Sequence, residues 1–215
     1  MTLPKTESAQ GSNGARILKG SDSTSLVRYL VNIGVFAALY FVILFATGML
    51  GVLSPAGSLV GWSIGLIANA LVITLFMART PTVWELAVLG LLVGLLMVVT
   101  GHSFLTPLTS TILGFVGGLV AATGGFANRT KNSLAYAVFS LWLIGPLLPM
   151  FWDRSGYLKY IEESMQNPAY AKAWGALFTN TTLIIWTCVV FALALGSGYL
   201  GNKMLGKHFR RAGLV

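Results

Sequence analysis

Acidic residues are scarce: 6 Asp and Glu stand against 14 Lys and Arg in 215 residues, and only 9% of the chain is charged. A soluble domain typically has about 25% charged residues, so this set is too small to cover a water-facing surface. Cysteine occurs once, at Cys188 inside an apolar run, which excludes a disulfide framework and a Cys-rich metal site. Histidine occurs twice, at His102 and His208. No apolar run carries a carboxylate near its middle, because Glu85 lies close to the Thr80-Pro81 break. Proton pumps, ion-coupled carriers and voltage sensors usually keep ionisable groups at membrane depth. An intramembrane hydrolase needs paired Asp, a Ser with a His, or a histidine-bound metal. Those parts are missing, and the chain is not expected to be an enzyme or to energise transport alone.

Apolar side chains are abundant, at 55% of residues with a mean hydropathy of +0.77. They fall into runs over 28–50, 57–78, 83–100, 105–127, 133–152 and 176–202, each close to the ~20 residues that cross a bilayer. The expected fold is therefore an all-α integral membrane protein, a compact bundle of six transmembrane helices. Residues 1–27 read as a flexible polar tail, 28–203 as the membrane domain and 204–215 as a basic tail. Lys5, Arg16 and Lys19 precede the first run and Arg28 opens it, Arg79 follows the second, Arg129 and Lys131 follow the fourth, and Lys203, Lys207, Arg210 and Arg211 lie after the sixth. The opposite loops carry Arg154, Lys159 and Lys172, offset by Asp153, Glu162 and Glu163. The positive-inside rule then puts both termini in the cytoplasm, with His102 and the 153–175 loop outside. Basic residues beside a membrane also explain the pI near 9.9 through topology and anionic lipid, without nucleic acid.

Small residues recur at four-residue spacing in Gly34/Ala38, Gly57/Gly61/Gly65, Gly90/Gly94, Gly114/Gly118/Ala122 and Gly117/Ala121/Gly125. Such stripes let helix backbones approach where lipid supplies no hydrophobic drive, and plain internal packing accounts for most of them. Gly201-Asn-Lys-Met-Leu-Gly206-Lys207-His208 approaches a P-loop but has His208 where Mg²⁺ needs Ser or Thr, and it follows an apolar helix instead of a strand. It reads as a basic helix end. The triplets Asn128-Arg-Thr130 and Asn180-Thr-Thr182 are uninformative, the first lying inside and the second opening a span.

The stretches Leu134-Ala-Tyr-Ala-Val-Phe-Ser-Leu-Trp-Leu-Ile-Gly-Pro-Leu-Leu-Pro149, Gly34-Val-Phe-Ala-Ala-Leu-Tyr-Phe and Gly206-Lys-His-Phe-Arg-Arg-Ala-Gly213 resemble the Trep-Strep family of bacterial membrane proteins. That family is regarded as substrate-binding S components of energy-coupling factor (ECF) transporters, and the resemblance runs from about Arg28 to Gly213. It implies a six-helix subunit that captures a micronutrient outside, then docks on a coupling (T) protein with two cytoplasmic ATPases and topples to release its cargo. Family members carry an Ala-x-x-x-Ala motif on the first helix for that docking, and Gly34 and Ala38 occupy the matching places here. Some relatives are linked to tetrapyrrole uptake, which makes haem one substrate option, with His102 as an iron ligand. No other cofactor is implied.

Polar and aromatic residues in the outer half are the candidates for a substrate pocket: Thr100, His102 and Ser103 after the third helix, Trp142, Met150, Trp152 and Asp153 along the fifth, and Asn180 opening the sixth. Pro146 and Pro149 should bend the fifth helix and free backbone carbonyls. Trp152 also suits an aromatic belt, and His102 a satisfied loop position. In the 153–175 loop, Leu158, Ile161 and Met165, flanked by Tyr157 and Tyr160 and ended by Pro168, predict a short amphipathic helix over the outer face, either a lid or a static interface helix. Two other readings stay open: a stand-alone membrane interaction or assembly protein with no small-molecule ligand, and an enzyme using His102 with Asp153.

Overall fold

The computed structural model describes the backbone of residues 14–205 and the side chains from Val27 onward, Arg28 excepted. The expectations that fall on residues 1–13 and on the basic tail from 206, His208 included, lie outside the described residues. The chain divides into two units, Met1–Asn32 and Ile33–Val215. Among the described residues every regular element is helical: α1 (Gly14–Gly48), α2 (Leu50–Leu53), α3 (Pro55–Arg79), α4 (Val83–Val99), α5 (Leu105–Ala122), α6 (Arg129–Ser140), a 3-10 helix (Leu141–Phe151), α7 (Arg154–Met165), α8 (Pro168–Leu177) and α9 (Asn180–Met204).

Five stretches are long and apolar enough to cross a membrane: Tyr29–Leu53, Pro55–Arg79, Leu105–Ala122, Arg129–Phe151 and Asn180–Met204. With the 17-residue apolar helix Val83–Val99, they track the apolar runs of the sequence. In the first unit the helical backbone already runs from Gly14, so 14–27, expected as a flexible tail, is helical.

Within the second unit α4 packs on α5, α6 on α9, α5 on α6, and α3 on α9. The glycine stripes explain how closely the backbones approach. A Cβ on Gly61 would stand 2.1 Å from the Thr47 carbonyl oxygen, on Gly90 2.3 Å from that of Ser110, and on Gly118 2.2 Å from that of Val83. Buried polar groups then bond across helices, as a membrane interior requires. Asn69 donates to the Tyr40 carbonyl (3.1 Å), Ser110 to that of Gly90 (2.7 Å) and the Tyr136 hydroxyl to that of Leu66 (2.6 Å).

Pro146 and Pro149 lie inside the 3-10 stretch. Each lacks an N–H for the i−4 carbonyl, and the chain winds tighter instead of kinking once. Its last turn is closed by the Pro149 carbonyl, which accepts from the N–H groups of Trp152 and Asp153.

Candidate functional site

At the end of α4 several donors converge on one carbonyl. The Met97 oxygen accepts from the Thr100 N–H (3.2 Å), the Thr100 hydroxyl (2.8 Å) and the His102 N–H (3.0 Å), with Nδ1 of His102 at 3.1 Å. The chain turns back at Gly101, whose φ of +93° favours glycine. Nδ1 also lies 3.2 Å from the Thr100 hydroxyl, which itself donates to Met97; with the hydrogen on Nδ1 both contacts are satisfied, and a neutral imidazole in that tautomer leaves a lone pair on Nε2. Burial holds the imidazole below its ordinary pKa, an effect the Met97 bond offsets in part.

The 153–177 segment is a helical hairpin rather than the one short helix expected, because Asn167-Pro168 starts a second helix where one ending was expected. The Asn167 side chain accepts from the Tyr170 N–H (3.1 Å) and Pro168 occupies the first turn, while Gln166 takes the left-handed conformation (φ 49°) that closes α7. Asp153 caps α7, accepting from the Gly156 N–H (3.0 Å). Arg154 donates to the carbonyls of Phe178 (2.9 Å) and Gly175, placing a cation on the C-terminal end of α8, where the helix dipole favours it. Two tyrosines fasten the hairpin elsewhere: Tyr160 donates to the Gly101 carbonyl and Tyr170 to that of Gly51 (2.6 Å). Burial raises the pKa of Tyr157, with the neighbouring phenols of Tyr160 and Tyr170 adding to it. Burial likewise raises that of Tyr170, against a lowering bond to Ser58. Both stay protonated and can donate.

Between these loops and the helix ends lies a cavity of about 310 Å³. α1 contributes Leu44 and Phe45, the turn after it Met49, α3 Ser58 and Trp62, and the 3-10 stretch Pro146 and Leu147; α7 adds Tyr157, Tyr160, Ile161 and Met165, and α8 adds Tyr170 and Trp174. Trp174 belongs to an aromatic group, its ring centre 4.4 Å from that of Phe178, which lies 6.2 Å from that of Trp62.

Of the residues singled out in the sequence, the cavity brings together Thr100, His102, Ser103, Tyr157 and Tyr160. The other five do not line it. Trp142 is fully buried, donating to the Tyr40 hydroxyl (3.1 Å), and Met150 is buried as well. Trp152 is 64% exposed, Asp153 serves as the α7 cap, and Asn180 sits exposed in the first turn of α9. Sequence reasoning did not name Trp62, Met97, Tyr170 or Trp174. The available signal was Tyr170 and Trp174, spaced i, i+4 behind Pro168. Among the described residues no group of three or more His, Cys, Asp or Glu is placed to hold a metal.

Gly34 and Ala38 border a second hollow of about 330 Å³, with Ala37 and, from α4, Leu92, Leu95, Leu96 and Val99. Unlike Gly61, Gly90 or Gly118, Gly34 has nothing within 4 Å of a Cβ placed on it.

The family described as a hypothetical bacterial integral membrane protein (Trep_Strep) matches residues 27–211. The chain belongs to that family. No curated protein and no solved structure matches it.

Proposed function

We propose that this Trep_Strep protein is the substrate-binding subunit of an ECF-type importer, a six-crossing body with both termini in the cytoplasm of a bacterial plasma membrane. The observation that carries the reading is the pairing of two features: a cavity covered by a fastened hairpin, and a hollow between the small residues of α1 and the end of α4 that no described side chain fills. The first is the form of a binding site. The second is the form of a docking surface for another membrane helix, since lipid-embedded helices associate through small residues. At 17 residues α4 is at the lower limit for a crossing. Arg79, Arg129, Lys131 and Lys203 flank helix ends remote in sequence from the loops around the cavity, so the positive-inside rule turns the cavity outward. With no carboxylate at mid-span, the driving force comes from outside the chain, through a T protein and two ATPases.

Co-expression with those three components tests the reading. The protein should co-purify with them, and Gly34→Leu with Ala38→Leu should abolish the association while the purified chain keeps its bound nutrient. Solitary behaviour in every combination, or equal loss of docking and binding, refutes it.

A further inference from the structure

Among the described residues, no side chain that lines the cavity is charged. Arg154 is engaged with the carbonyls of Phe178 and Gly175, Asp153 with the α7 N-terminus, and Lys159 pairs with Glu163 (3.9 Å) where both are exposed. A ligand charge of either sign would lose its hydration without gaining a counter-ion. The surfaces on offer are aromatic, from Trp62, Trp174 and Tyr157, and thioether, from Met49, Met97 and Met165. Flat rings stack on the former and adaptable methionines fill the remaining gaps. With Nδ1 on the Met97 carbonyl, Nε2 of His102 is a ring acceptor with no protein partner among the described residues, and Nε1 of Trp174 is a buried donor with none. A volume of about 310 Å³ equals that of roughly ten waters at ~30 Å³ each, which close packing turns into a ligand of about 10–20 non-hydrogen atoms. A tetrapyrrole exceeds this volume, and its carboxylates would find no cation.

We propose, resting on the importer reading, that the cavity takes an uncharged, flat heteroaromatic compound of about 10–20 non-hydrogen atoms, held by stacking and by donating an N–H or O–H to Nε2 of His102.

Three probes share one ring and differ in charge: indole-3-ethanol (neutral), indole-3-acetate (anion) and tryptamine (cation), with haemin as a fourth. Retention by the full chain in lipid nanodiscs is measured by equilibrium dialysis. Ile161→Trp, which fills the cavity, serves as the blank in the same lipid, so partition into the bilayer cancels. We expect indole-3-ethanol to exceed the blank, with at least tenfold weaker retention of both charged analogues and none of haemin. His102→Ala, a smaller perturbation, should weaken the neutral probe several-fold. Retention of an ion or haemin at or above the neutral probe, no excess of any probe over the blank, or an excess unchanged in His102→Ala would overturn the proposal. The assay needs no coupling module, so its failure is distinct from failure of docking.

Discussion

A methyl group added at Gly61 would lie 2.1 Å from the Thr47 carbonyl oxygen and 2.9 Å from its carbon, whereas ordinary contact begins near 3.4 Å. Both obstacles are backbone, so no side chain can swing aside. α3 and α1 must part by more than an ångström over the turn where Gly65 also meets Leu44 and Thr47. Overpacking of this kind costs about 1–3 kcal/mol, offset in part by the ~1 kcal/mol that Ala gains over Gly in a helix interior. At Gly34 the same methyl meets nothing within 4 Å, and only the gain remains. Gly61→Ala should therefore be less stable than Gly34→Ala by about 1–3 kcal/mol. Reversible unfolding of the two variants in mixed detergent micelles, followed by circular dichroism, measures the difference directly. Equal stability, or a larger loss at Gly34, would mean that the α1 hollow is packed and would remove the physical basis for docking there.

Two further outcomes follow from the loops around the cavity. Arg154→Met leaves the carbonyls of Gly175 and Phe178 without their donor, a loss of about 1–3 kcal/mol; it should speed hydrogen exchange across 154–177 and leave α3 and α5 protected. The imidazole of His102 titrates below its ordinary value near 6.5, so between the two values the unfolded chain holds more protons than the folded one. Its contribution to stability is complete above that ordinary value and declines as the pH falls toward the lowered one. Thermal inactivation rates between pH 5 and 8 should show an acid-side loss that His102→Gln lacks; an unchanged profile in that variant refutes the assignment.

Much of the fold was legible because a membrane demands long apolar runs, and each of the six runs in the sequence corresponds to a helical stretch. Boundaries were less so. Arg28 marks where polarity changes, yet nothing in residues 14–27 forbids a helix from continuing through them. Pro168 reads as a terminator, although proline after an Asn cap serves equally to start a helix. The site was half legible. Thr100, His102 and Ser103 follow from a helix ending, but Trp142 and Met150 are buried in the protein interior and do not line the cavity. Depth along a span can be read from sequence, whereas direction around it cannot when every face is apolar and amphipathic contrast is lost. The same ambiguity hides which glycine stripe is open: Gly34/Ala38 and Gly57/Gly61 read alike until their neighbours are known.

Arg154 answers its charge with peptide oxygens and not with a carboxylate. A guanidinium keeps its proton throughout the accessible pH range, and carbonyl dipoles have none to gain. Salt that dissolves an ordinary surface ion pair has little to compete for at this clasp. The joint between α7 and α8 should thus hold in fresh, brackish or acidified surroundings alike, leaving its two tyrosine tethers as the fastenings free to let go.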